Sequence, residues 1–366
     1  MDNKRAFSPY RFSHREARLP AIGAAIARTT MMLLTALFPA MGAAQTEAGA
    51  YNVALLPNEL IQKGFEKVVT ADSINKHDVD FAVFTGDTKD GSSRCSDEII
   101  GQELLHFFGR LHVPTLYSPG DNEWTDCHRI SNGGYDPLER LTFVRKTFFS
   151  RNTTQGFDPL PLVRQGKPGG KYSENSRLVH KNVMFVALHV VGSNNNLVVT
   201  EKQCHKKSRR TLKDCEAATR EFRERNRRDI DWLRQSFAQA GQEGLPAVVV
   251  VIQADIYTPH ELGGGGYEKD FLPSLDAKNG FTDFFQTLVS ETHRYQGQVL
   301  LVTGDSHYYK VDKAMLDKDG SITPNFSRVV VFGGDETSWI NMHVDPDAPV
   351  VFTFEPIILP GVKALR

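Results

Sequence analysis

Asp87, Asp121, Gln253, Asp305 and His307 each stand at the polar end of a short apolar run. Carboxylates joined by one imidazole and one amide form a hard-to-borderline ligand set. Such a set suits Mg²⁺, Mn²⁺, Ca²⁺, Fe or Zn²⁺ better than soft metals. A divalent ion held this way lowers the pKa of a bound water and polarises a phosphoryl oxygen. Two ions can clamp both ends of an in-line displacement. Hydrolysis of a phosphate ester is therefore the chemistry these residue types predict. A Gly-Lys-Ser/Thr phosphate loop and a GxSxG elbow are absent from the sequence, so nucleotide-kinase and serine-hydrolase patterns do not apply. One Asp after a strand is usually a turn or cap residue. Five such residues, at four strand ends, predict a shared site.

The elements that must position them are visible as β-branched runs bounded by turn residues. Residues 80–85 (DFAVFT) lead into Gly86-Asp87, and 113–118 (VPTLYS) into Pro119-Gly120-Asp121. Residues 183–188 (VMFVAL) lead into His189, and 247–252 (AVVVVI) into Gln253. Residues 299–302 (VLLV) precede Gly304-Asp305, and 329–332 (VVVF) precede Gly333-Gly334. Residues 96–109, 137–149 and 217–240 read as helices, the last with Phe222, Ile230, Leu233 and Phe237 at helical spacing. Strands alternating with helices predict an α/β fold with largely parallel pairing. The carboxyl ends of parallel strands then line one rim, where ligands bind. Residues 151–175 read as a long surface loop, and the four glycines 263–266 as a lid or linker. Residues 323–354 read as several strands closing the sheet.

The blocks Gly86-Asp87, Pro119-Gly120-Asp121-Asn122-Glu123 and Gly304-Asp305-Ser306-His307 resemble, in order and spacing, those of calcineurin-like metallophosphoesterases. That family runs DxH, GD, GNH(D/E), a lone His and GHxH. The strings GDTKDGSSRCSDE, YSPGDNEWTDCHR, GGYDPLERL and LHVVGSNNN resemble an exported bacterial subgroup. The resemblance covers roughly residues 50–355 and implies a two-sheet αββα sandwich. It implies that Asp87 bridges metals and that Asp121 takes the place of a ligand Asn. Asn122 stands where the family has its catalytic His, and an amide there can hydrogen-bond a phosphoryl oxygen but cannot act as an acid. Glu123 matches the acid that orients that His. Gln253 stands at the lone ligand His, where its amide oxygen would be a neutral ligand. Asp305 replaces the first His of GHxH, and His307 retains the second.

The first block is the departure. Residues 51–59 read YNVALLPNE, with no Asp or His directly after the strand; Asn58 or Glu59 is left to stand in. Asp87, Asp121, Gln253 and Asp305 are all oxygen donors, so one oxygen-rich ion site, suited to Mg²⁺, Mn²⁺ or Ca²⁺, is better supported than an intact two-ion centre. His189 can face substrate or serve as a structural histidine. Lys89, His128 and Arg129 can bind phosphate oxygens or lie exposed. Trp124 reads as packing.

The N-terminus reads as an export signal over residues 1–44, followed by one domain over 45–366. Six basic residues from Lys4 to Arg28 precede an apolar stretch at 31–43 and the small residues Gly42, Ala43 and Ala44. A membrane anchor is the alternative, against which the short run and Pro39 argue. Four cysteines, Cys95, Cys127, Cys204 and Cys215, allow three pairings or none; Cys95 with Cys127 and Cys204 with Cys215 join neighbouring segments, and an oxidising compartment favours such bonds. A net charge of −1 gives no footprint for nucleic acid. The sequence thus predicts a secreted or periplasmic metal-dependent hydrolase of small phosphate esters, with no membrane span after cleavage. The alternative is a non-catalytic member of the same family that binds a ligand or partner.

Overall fold

The computed structural model describes residues 49–62, 65–257, 279–317 and 319–360. Residues 1–44, read above as an export signal, and the four-glycine run lie outside these residues. In chain order the strands are β1 (Tyr51–Leu55), β2 (Ile61–Gln62), β3 (Phe65–Glu66), β4 (Phe81–Phe84), β5 (Thr115–Tyr117), β6 (Val163–Arg164) and β7 (Ser176–His180). They continue with β8 (Val183–Ala187), β9 (Ala247–Val251), β10 (Gln298–Thr303), β11 (Lys310–Asp312), β12 (Phe326–Val330), β13 (Trp339–Val344) and β14 (Phe352–Ile357).

Two sheets face each other. One has the order β14-β13-β1-β4-β5, the other β11-β12-β10-β9-β8-β7-β6. Their centres are parallel, as the sequence predicts: β1, β4 and β5 in the first sheet, and β8, β9, β10 and β12 in the second. The larger sheet is antiparallel at both edges, and the smaller at its β13-β14 side only; β6 and β11 are not revealed by the sequence, because they are two and three residues long and half-exposed or exposed. In β1, Val53 and Leu55 point between the sheets with Val83, Leu116, Phe185, Val249 and Val302. Ala54 points outward against Ala71, Phe107 and Phe108 of the flanking helices. In β9, Val249 and Val251 face inward while Val248 and Val250 meet Leu233, Phe237 and Leu288. This period of two puts apolar side chains on both faces of the central strands, hence the unbroken hydrophobic runs. The result is an α/β sandwich of four layers, helices–sheet–sheet–helices. No helix of the described residues is long and apolar enough to cross a membrane.

The helix Leu212–Gln242 begins five residues before the periodic stretch. Thr211 and Asp214 form a reciprocal capping box, the Thr211 hydroxyl accepting from the Asp214 N–H while Asp214 accepts from the Thr211 N–H. The 151–175 segment is mostly irregular, as expected, apart from β6.

Both cysteine pairs are disulfides, Cys95–Cys127 and Cys204–Cys215. Cys95 and Cys127 lie 32 residues apart and tie the loop after β4 to the loop after β5, the two loops that carry Asp87 and Asp121. A crosslink of that span stabilises by about 3–4 kcal/mol through the unfolded chain. The Cys95→Ser/Cys127→Ser protein should lose about that much in urea denaturation; an unchanged midpoint would show that the staple is idle.

Candidate metal centre

Three aspartates meet at the rim where the parallel strands end. Asp87 follows β4, Asp121 follows β5 and Asp305 follows β10, so both sheets contribute. Each offers an oxygen within 4.8 Å of the other two, and among the described residues no other group of three His, Cys, Asp or Glu is drawn together in this way. Asp87 is 1% exposed and Asp121 6%. Burial, and then the neighbouring Asp121, push the Asp87 and Asp305 carboxyls well above the ordinary carboxylate range. Like charges at this spacing, away from water, repel strongly unless protons or a cation intervene. A divalent ion fits this donor set.

The backbone is bent to make the cluster. Asp87 has φ 57°, Asp305 58° and His307 58°, in the left-handed region that costs about 1 kcal/mol or more for a residue with a Cβ. Ser193, Asn194, Asn195 and Asn196 are all left-handed as well, a turn with φ between 50° and 66°. Outliers of this kind concentrate where function demands a particular geometry.

That turn brings Gly192 and Ser193 against the acids. A Cβ on Gly192 would stand 2.7 Å from both Asp121 Oδ2 and Asp305 Oδ2. Gly192→Ala should therefore fill the space between the carboxylates and weaken Mn²⁺ binding at least ~10-fold, the loss of ~1.4 kcal/mol or more; unchanged affinity by calorimetry would contradict the placement. The Ser193 hydroxyl lies 2.8 Å from Asp121 Oδ2 and 2.7 Å from Asp126 Oδ1. Asp126 pairs with Arg129 at 2.6 Å. Burial and then Asp121 push the Asp126 carboxyl up to about 7.

Gln253 corrects an expectation. Its amide oxygen does not face the acids: it accepts from the Gly192 N–H at 2.6 Å. Its NH₂ group donates to Asp87 Oδ2 at 2.9 Å and Asp305 Oδ1 at 3.1 Å. A backbone donor fixes the amide, so Gln253 ties carboxylates together instead of offering a ligand oxygen.

Glu123 is also differently employed. One oxygen accepts from the Thr88 N–H and hydroxyl at 2.9 Å and from the Tyr117 hydroxyl at 3.0 Å, the other from the Gly120 N–H at 3.2 Å. It braces the Asp87 and Asp121 loops to each other and does not orient Asn122. The Asn122 N–H donates to Asp87 Oδ1 at 3.2 Å. Its carboxamide makes no hydrogen bond with the described residues and is free to meet an oxygen of a ligand.

His307 lies beside Asp87, its Nε2 3.9 Å from Asp87 Oδ2. Burial, and then Lys67, lower its pKa to about 4, so the imidazole is neutral at neutral pH. Nε2 is buried and has no hydrogen-bond partner, as a metal-ligating nitrogen would.

His189 is not at the surface of the site. It is 0% exposed, its Nδ1 2.8 Å from Glu174 Oε1 and its ring against Trp124. Arg145 pairs with the same Glu174 oxygen. Burial, opposed by Glu174, pulls the His189 pKa to about 4. From this position His189 supports the strand end but does not meet substrate. Trp124 is packing, as expected, fully buried. Lys89 is buried and donates to the Asp90 carbonyl at 3.0 Å, and His128 Nδ1 lies 2.5 Å from the Thr125 carbonyl.

Asp126 and Ser193 were not among the residues singled out by sequence. Asp126 belongs to the same loop as Asp121, and the only signal was its place in that acidic string. Ser193 acquires its role from the left-handed turn, whose only sequence mark is the run Gly-Ser-Asn-Asn-Asn.

No family model matches the sequence, and no curated protein does. Solved structures do. A structure of PhoD superposes with a TM-score of 0.50 at 14% identity, covering 84% of this chain and 68% of that one. A dimetal phosphatase from Danio rerio gives a TM-score of 0.46 at 10% identity, over 84% of this chain and 98% of that one. A 5'-nucleotidase from Candida albicans SC5314 gives 0.37 at 12% identity, and this chain spans 51% of its length. The chain has the calcineurin-like metallophosphoesterase-type fold that its sequence blocks resemble.

Proposed function

We propose that this chain is an exported metal-dependent hydrolase of small phosphate esters. The observation that supports it most is the meeting of three aspartates from three strand ends, in a fold shared with PhoD. Asp87, Asp121 and Asp305 hold a divalent ion, with His307 beside Asp87. An oxygen-rich set of this kind favours Mg²⁺, Mn²⁺ or Ca²⁺. The bound ion supplies an activated water and charge stabilisation at a phosphoryl group. The chain's own groups do the rest. The Asn122 carboxamide donates to a phosphoryl oxygen. Ser193 fixes the orientation of Asp121, and Gln253 holds Asp87 and Asp305 at a set spacing. Asp126, paired with Arg129, holds the Ser193 hydroxyl from its other side. Glu123 and the Cys95–Cys127 disulfide hold the two loops in register.

The second reading is a non-catalytic family member that binds a ligand or partner. The Gln253 NH₂ group favours it, because its hydrogen bonds stabilise the acids without a metal. Hydrolysis of p-nitrophenyl phosphate and of its bis-ester separates the two. The enzyme reading expects turnover of one of them, lost with EDTA and restored by Mn²⁺. Absence of turnover on both, under every divalent ion supplied, would leave the binding reading.

A further inference from the structure

The loop closed by Cys204–Cys215 carries Lys206, Lys207, Arg209 and Arg210. A basic run of this kind is ordinarily a solvated patch, but here it is fastened to the loop that carries Asp121. The Ile130 N–H donates to the Lys207 carbonyl at 2.9 Å, and Arg129 and Ser208 form an isolated antiparallel bridge. Lys207 has a left-handed φ of 54° at this contact. The Arg210 N–H donates to Ser208 Oγ at 3.1 Å. Antiparallel pairing runs Arg210 back towards residues 127 and 128.

Two guanidinium groups gather at this junction, beside the aspartates. Arg129 Nη2 lies 2.6 Å from Asp126 Oδ2 and 3.4 Å from Ser193 Oγ, the hydroxyl that is 2.8 Å from Asp121 Oδ2. Its Nε and Nη1 make no hydrogen bond with the described residues, and 33% of the side chain is exposed. Arg210 is half-buried, and its Nε is buried without a hydrogen-bond partner. Burial lowers the Arg210 pKa, opposed first by Asp126, so both arginines address the same acid. Burial, and then the Arg210 charge, hold the His128 imidazole at a pKa of about 4, neutral beside them. Asp214, the other acid that influences Arg210, is exposed and accepts from the Thr211 N–H and hydroxyl at 2.8 Å. One buried carboxylate therefore faces two guanidinia. An N–H buried without an acceptor is costly, and an oxyanion would supply the acceptor.

We propose that Arg129 and Arg210 form an anion subsite beside the three-aspartate site, and that the substrate carries a second acidic group on its leaving alcohol. The inference rests on the phosphoesterase reading and narrows it to bis-anionic esters. The phosphoryl group goes to the aspartate side. The two guanidinia take the second oxyanion, a carboxylate or another phosphoryl group. A guanidinium fork suits either, since both offer paired oxygens to paired N–H donors. Arg129 is tied through Ser193 to Asp121, so the two places keep a set spacing. The distance between the two anionic groups of a substrate is then a criterion of selection.

Phosphonates test this without turnover, because a phosphoesterase does not cleave their C–P bond. Calorimetry on the full chain, in the presence of Mn²⁺, compares propylphosphonate, 3-phosphonopropionate and propane-1,3-bisphosphonate. The wild type should bind at least one of the two bis-anions ~10-fold or more tightly than propylphosphonate, and the tighter of the two identifies the oxyanion. Arg210→Gln should erase that margin. Arg129→Gln should erase it as well, but it also loses the pair with Asp126. Arg210→Gln is therefore the deciding variant, since its side chain has no hydrogen bond to lose among the described residues. Equal affinity for all three compounds in the wild type, no binding of any, or a margin that survives Arg210→Gln would overturn the inference. The hydrolase reading is judged apart, by turnover of p-nitrophenyl phosphate. Turnover without the margin leaves an enzyme that lacks this subsite. The margin without turnover upholds the subsite and leaves a binding protein that recognises bis-anions.

Discussion

Asp305→Asn raises the melting temperature of the metal-free protein and abolishes its hydrolytic activity. The two effects have one cause. Burial, and then Asp121, lift the Asp305 carboxyl far above its ordinary value of 3.8. The folded chain therefore holds a proton that the unfolded chain releases. Stability from this group is fully present below about pH 4 and is lost as pH rises through the folded value. Asparagine removes the charge and keeps the shape. Every pH step that separates the folded value from the unfolded one is worth ~1.4 kcal/mol, and ~1 kcal/mol moves the melting temperature of a domain this size by roughly 2–4 °C. The gain should be larger at pH 8 than at pH 5. Mn²⁺ should invert the order, because an ion at ~100 times its dissociation constant adds ~2.7 kcal/mol to the wild type and little to the variant. Activity should fall by ~10²–10³ or more, the scale of losing one electrostatic element of an active site. A variant less stable than wild type without metal, at every pH, would contradict the cause given for both effects.

The second large effect is expected away from the acids. Arg225 is fully buried on the helix Leu212–Gln242. It donates to the His189 carbonyl at 2.5 Å, to Asn195 Oδ1 at 2.7 Å and to the Asn195 carbonyl at 2.9 Å, and pairs with Glu221 at 2.7 Å. These bonds hold the left-handed turn Ser193–Asn196 in its strained form, along with Asn194 Oδ1, which accepts from the Gly280 N–H at 2.8 Å. Arg225→Met should cost about 3–5 kcal/mol in urea denaturation, the scale of breaking a buried charge pair. It should also weaken Mn²⁺ binding, because Ser193 and Gly192 lose their anchor. Arg225→Lys should recover part of the stability but little of the metal affinity, since an ammonium cannot reproduce the planar fork. Equal recovery of both would show that charge alone matters at this position.

Much of the arrangement was legible because strand ends announce themselves. Runs such as AVVVVI and DFAVFT are apolar on both faces only if both faces are covered, and the polar residue that ends each run must reach the rim. This placed Asp87, Asp121 and Asp305 together from sequence. What was hidden depends on contacts distant in the chain. The orientation of Gln253 is set by the Gly192 N–H, 61 residues away. Glu123 reads as a partner of its neighbour Asn122, yet Thr88 and Tyr117 claim its oxygens. His189 follows a strand as the others do, but Glu174 and Trp124 enclose it. Asn58 is one of the two residues the sequence offers in place of the missing first motif; its burial between Gly86 and Gly304 exists only in three dimensions. The edge strands β6 and β11 escaped notice for another reason: exposed segments of two and three residues carry too little periodicity to register.

Everything proposed for the rim depends on the three aspartates holding a divalent ion. Metal content decides it: the purified chain, after growth in mixed trace metals, is measured by inductively coupled plasma mass spectrometry beside Asp121→Ala. At least one equivalent of a divalent metal is expected in the wild type, and its loss in the variant. A folded wild type that carries none, and takes up none from added Mn²⁺, Mg²⁺, Ca²⁺, Fe²⁺ or Zn²⁺, would contradict the assignment.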